Sequence, residues 1–169
     1  MSAVRCYVYA RTPAAETGAP AGPWRVGVLP GGTLALPHAP LAAAADPAAA
    51  AAALVRELTG RIPRLVAPPV PPLEGAGAAW WIRSPHGGPY AREHEHVMVL
   101  PGPPPPGLDW LAPTPARPLL RDENLRLAAA LGAVLDALLA GRTDPAVMRA
   151  MTFGHSRRDV GPPRPRAQW

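Results

Sequence analysis

Apolar and polar positions alternate most clearly at the start of the chain. Over residues 3–11, AVRCYVYAR, Val4, Cys6 and Val8 share one face of an extended segment and Arg5, Tyr7 and Tyr9 the other. The pattern predicts a first strand. After the turn-rich TPAAETGAPAG, Trp24, Val26 and Val28 alternate into a second strand that ends in LPGG, residues 29–32. Two glycines there allow backbone angles that other residues avoid. TLALPHAPLAAAA reads as a proline-punctuated connection.

The next segment, DPAAAAAALVRELTGR, carries helix signals at both ends. Asp46 suits the N-cap, Pro47 the first helical position and Gly60 the C-terminal stop. Leu54, Val55 and Leu58 supply an apolar stripe. Residues 63–77 read as a proline-rich loop, and AAWWIR and AREHEHVMVL as strands around the SPHGGP turn. PGPPPPG is a stiff connector of polyproline character. Residues 119–140 form the strongest predicted helix, with Leu120, Leu127, Leu131, Val134, Leu135 and Leu138 on its apolar face. A short helix is expected from Asp144-Pro145 to about Met151. These elements predict a single α+β domain over residues 1–153 and a mobile Arg/Pro-rich tail over 154–169.

A chain of 169 residues is long enough for one domain with a sizeable core. The formal charge of +5 is carried entirely on arginine, with no lysine, as in the codon bias of a GC-rich, actinobacterial-like genome. The last fourteen residues hold four arginines and one aspartate, which leaves the body near neutral. A nucleic-acid partner would call for a basic, aromatic-interleaved face on the folded part, so none is expected. Cys6 is the only cysteine, which rules out an intrachain disulfide and fits a reducing, cytoplasmic location. It lies in an apolar run and reads as a small buried hydrophobe. No apolar run approaches the roughly 18 residues that span a bilayer, and no membrane partner is expected.

The order of elements resembles a Nudix domain over roughly residues 3–140. LPGG (29–32) resembles the family's strand-to-loop entry, VRELTGRI (55–62) the end of its box helix, and AREHEHVMVL the strand that often follows. The resemblance implies an α/β/α sandwich with a mixed sheet and a long C-terminal helix, and a homodimer by analogy. The family box runs G, five residues, E, seven residues, REUxEExGU. Six positions after Gly32 stands His38 instead of glutamate. Aligned on Arg56-Glu57-Leu58, the chain loses the EE pair; aligned on Gly60, it keeps Glu57 and loses the RE. Either way one carboxylate survives. Magnesium needs several oxygen ligands in near-octahedral geometry, so magnesium-dependent diphosphate hydrolysis is not expected.

His94 and His96, two apart on a strand, share one face, with Glu93, Glu95 and Val97 on the other. If that strand crosses the family cleft, the imidazoles meet Glu57 and His38. Such a set suits acid–base catalysis near neutral pH. Alternatively His94, His96 and Glu57 would hold zinc or another divalent ion; no cofactor is otherwise expected. Trp80 and Trp81 alternate, so one belongs to the core and Trp81 is the candidate to stack on a substrate, with Tyr90 and Trp110 as further pocket walls. His155, Arg157 and Arg158 read as solvated tail. The expected function is an enzyme acting on a small organic molecule of specialised metabolism by His/Glu chemistry. The alternatives are a ligand-sensing or protein-interaction module and an atypical nucleoside-diphosphate-type hydrolase.

Overall fold

The first strand is the axis of the molecule because both of its faces are apolar. A computed structural model describes residues 1–32, 34–68, 79–83, 92–112 and 123–142. In it β1 (Ser2–Ala10) buries Val4, Cys6, Val8 and Ala10 in one cluster and Tyr7 and Tyr9 in another. β2 (Arg25–Val28), β3 (His38–Leu41), α1 (Pro47–Thr59), β4 (Arg64–Leu65), β5 (Trp81–Arg83), β6 (Arg92–Val99), β7 (Asp109–Leu111) and α2 (Glu123–Leu139) follow. The strands form a sheet ordered β4-β6-β1-β2-β7, with β3 also paired to β1 and β5 to β6. β1 and β6 run parallel from Ser2↔Arg92 to Tyr9↔Val99, and every other pairing is antiparallel, so the sheet is mixed.

The helix signals are met at the residues that carry them. Asp46 accepts a hydrogen bond from the Ala49 amide at 2.9 Å, Pro47 opens α1, and Gly60 closes it in the left-handed conformation at φ 70°. α1 lays Ala51 and Val55 on the Val4, Cys6, Val8 and Met98 face of the sheet. α2 covers the opposite face with Leu127, Leu131, Leu135 and Leu138. The Tyr9 hydroxyl donates to the Ala128 carbonyl at 2.6 Å, tying α2 to the central strand. Among the described residues no helix is long and apolar enough to cross a membrane.

Three segments differ from the pattern-based expectation. His38–Leu41, read as connection, is β3. It lies against the first half of β1, and Pro40, which has no N–H to give, is tolerated because the strand is an edge. Arg64-Leu65 forms a two-residue strand at the start of the predicted loop. Asp109–Leu111, after the proline run, is the edge strand β7. The proline run itself is docked rather than free. Arg61 donates to the carbonyls of Pro101 (2.7 Å) and Pro103 (3.2 Å), and Gly107 lies against the Leu58 carbonyl. Leu120, Tyr90, the 144–151 helix and the 154–169 tail, with His155, Arg157 and Arg158, fall outside the described residues.

Gly107 and Gly60 both have positive φ, but a Cβ at Gly60 would meet nothing within 4 Å, whereas at Gly107 it would meet the Leu58 backbone. Gly60→Ala should cost about 1 kcal/mol from the left-handed conformation alone. Gly107→Ala adds a steric term and should cost roughly 3 kcal/mol or more. Urea midpoints at an unchanged slope measure both; equal losses would contradict the packed-loop account.

Candidate functional site

β6 carries polar residues to both faces of the sheet, and its register with β1 decides which goes where. Val4 pairs with His94 and Cys6 with His96, so both imidazoles lie on the α1 face. Glu93 and Glu95 pair with Ala3 and Arg5 and lie on the α2 face with Tyr7.

On the α1 side, His94 is half-buried and lines a groove of about 480 Å³ with Met1, Ser2, Leu41, the 42–45 turn and Pro47. The turn is closed by the Ala45 amide donating to the Ala42 carbonyl at 3.1 Å, and Ala44 within it has φ 65°. His96 is 1% exposed. Neither ring nitrogen of His96, nor Nδ1 of His94, has a hydrogen-bond partner. Buried polar atoms without a partner are uncommon and each costs about 1–3 kcal/mol. Burial pushes His96 down to about 4, with His94 adding to the fall and Asp46 opposing it. His94 is also lowered, by burial first and then by Arg92. The pair is therefore neutral at pH 7.

The four residues singled out from the sequence do not converge. Glu57 is exposed, and it stands two residues beyond the buried Val55, on the outer side of α1. His96 feels Asp46 at the helix start, and Glu57 is eleven residues further along, roughly 16 Å down the axis. His38 pairs with Arg5 and so lies on the α2 face, exposed, its Nδ1 2.9 Å from the Leu36 carbonyl. A zinc site of His94, His96 and Glu57 does not fit this arrangement. No group of three or more His, Cys, Asp or Glu able to hold a metal occurs among the described residues. Cys6, beside His96 in the register, is buried with its Sγ 3.8 Å from the Ala51 carbonyl, and burial raises its thiol to about 12. It is no nucleophile.

The aromatic candidates belong to the framework. Trp80 and Trp81 are both buried in the α2-side core, since Trp80 precedes β5 and the strand alternation does not reach it. Trp80 Nε1 donates to the Val66 carbonyl at 2.7 Å, and Trp81 packs edge-on against Tyr7 at 5.9 Å. Trp110 Nε1 donates to the Pro105 carbonyl at 2.7 Å, and its ring covers Gly27, where a Cβ would come within 3.2 Å of it. Tyr90 lies outside the described residues.

The sequence reading missed a buried polar network on the α2 face. Arg5 donates through Nε and Nη2 to the two Glu93 oxygens, each at 3.2 Å. Glu95 is wholly buried, and the Tyr7 hydroxyl lies 3.4 Å from Glu95 Oε1 and 3.4 Å from Asn124 Oδ1. The signal was present in the shared parity of Arg5, Tyr7, Glu93 and Glu95. What was absent was any sign that α2 closes over that face.

No family model matches the chain, and no curated protein matches it. Among solved structures it is similar to a Nudix hydrolase from M. smegmatis, RenU, at 15% identity, covering 92% of this chain and 83% of that one, with a TM-score of 0.35. A fit that loose carries no argument about chemistry. The groove beside His94 has to be understood from its own residues.

The sign of the pH effect follows from a folded-state value near 4 against 6.5 for the unfolded imidazole. The unfolded chain binds the extra proton first, so stability is full above about pH 6.5 and falls as pH drops toward 4. The loss attributable to His96 should reach about 3 kcal/mol. Denaturation of wild type and His96→Leu across pH 4–7 measures it; parallel curves would remove His96 as the source.

Proposed function

We propose that this chain is a small-molecule-binding protein whose ligand enters the groove beside His94. The observation that carries the proposal is the half-buried His94 imidazole lining an open groove of about 480 Å³, a size that suits a metabolite, with His96 buried beside it. The lining carries no charged side chain. Those side chains suit a small organic molecule of little charge, held by apolar contact with the alanine turn and Leu41 and oriented by one hydrogen bond to His94.

Acid–base catalysis is the second reading, and one observation favours it. His94 is neutral at pH 7 and lines the groove, which suits a general base toward a proton on the bound molecule. His94 would accept that proton and return it; His96, pushed lower, would stay neutral beside it. The reading keeps the Nudix-like three-layer arrangement as scaffold and drops the family's magnesium chemistry. In support, Glu57 stands alone on the outer side of α1, Glu93 is tied to Arg5, and Asp46 caps the helix. A role in specialised metabolism, a cytoplasmic location and a homodimer are part of the same proposal.

A panel of small uncharged heteroaromatic and carbonyl compounds, followed through the imidazole resonances, provides the test. Ligands that bind should move His94 and lose about tenfold or more in affinity in His94→Ala, in line with one well-made hydrogen bond. His94→Gln should keep part of the binding and, on the catalytic reading, lose turnover. Compounds that bind without disturbing either imidazole would reject the site, and turnover surviving in His94→Gln would reject catalysis alone.

A further inference from the structure

A second groove lies on the α2 face at the β4 edge of the sheet, beside the Val99 end of β6. Arg64 pairs with Val99, which fixes its side chain on the α2 face, at the sheet edge where α2 ends. Arg142 follows the last turn of α2. The two line one groove of about 450 Å³, floored by Val66, Pro68, Leu138 and Leu139.

Three arginines of this fold are committed to partners. Arg5 is paired with Glu93, Arg11 with Asp136, and Arg61 with the proline loop. Among the described residues, neither Arg64 nor Arg142 makes a side-chain hydrogen bond or ion pair. Helix capping does not occupy them either. The Ala137 and Leu138 carbonyls are taken by the backbone amides of Arg142 (2.9 Å) and Gly141 (3.1 Å), with Gly141 at φ 70°. A cation at a helix C-terminus is favoured by the dipole, which accounts for Arg142 but not for Arg64. Two uncompensated guanidiniums over an apolar floor concentrate positive potential in the groove. Their planar forks match the geometry of an oxyanion.

We propose that this groove binds a small organic oxyanion, a carboxylate or phosphate ester, whose charged end bridges Arg64 and Arg142 and whose apolar body lies on Val66, Leu138 and Leu139. The site is separate from the His94 groove and does not depend on its function.

Titration of the full chain with phenyl phosphate, benzoate and inorganic phosphate tests it. Phenyl phosphate or benzoate should bind saturably and shift the amides of Val66, Ala67, Leu139 and Gly141. Arg64→Gln and Arg142→Gln should each weaken binding by roughly tenfold or more, the loss expected for one charge-assisted hydrogen bond. His94→Ala should leave it unchanged. Inorganic phosphate should bind at least about tenfold more weakly, because it lacks the apolar body. Equal affinity for inorganic phosphate would mean an adventitious ion only and would overturn the proposal. So would a lack of saturable binding by either organic anion, or binding that survives in the double variant. Shift mapping on the wild-type chain keeps the test decisive if a variant fails to fold.

Discussion

The parallel pairing of β1 with β6 is the constraint on which the rest of the molecule depends. Eight consecutive residues of each strand are held in register. Side chains at paired positions therefore go to the same face and their neighbours to the opposite one. A helix lies over each face and encloses its centre. Glu93, Glu95 and His96 on β6 are thereby enclosed, and the chemistry of each is set by what lies on its side.

The two faces treat their polar groups differently. On the α2 side, Arg5 neutralises Glu93, and Tyr7 and Asn124 stand at Glu95. A buried carboxylate is tolerable when such groups surround it. On the α1 side the neighbours are Val4, Cys6, Met98, Ala51 and Val55, which offer an imidazole almost nothing. The same strand thus gives a satisfied acidic network on one face and a neutral, undersatisfied histidine pair on the other. The contrast is why the functional reading falls on the histidines, although the acidic network has the more elaborate bonding. A network that meets its own needs stabilises the core, whereas the His94 imidazole lines a groove.

Much of the framework was legible in the sequence. The Asp46, Pro47 and Gly60 signals marked α1 because capping is local chemistry, decided within a few residues. The alternation of β1 and β6 gave their parity correctly, including the shared face of His94 and His96. The short edge strands β3, β4 and β7 escaped because they are made by pairing with a neighbour rather than by their own pattern. Pro40 and the proline run even argue locally against strand. Trp80 and Trp81 escaped for a related reason: the alternation rule applies inside a strand, and β5 begins only at Trp81.

Adjacent residues were enough to set the periodicities, the caps, the shortage of carboxylates around Glu57 and the placing of His94 and His96 on one side of a strand. These are properties of adjacent residues, fixed by backbone geometry. Long-range packing is what sets His38 and Glu57 apart from that pair, closes α2 over Glu93 and Glu95, and brings Arg64 and Arg142 to one groove. Those outcomes depend on which strands become neighbours and how far along a helix a residue sits. Nothing in a local pattern encodes such distances, because they arise from the simultaneous packing of segments far apart in the chain.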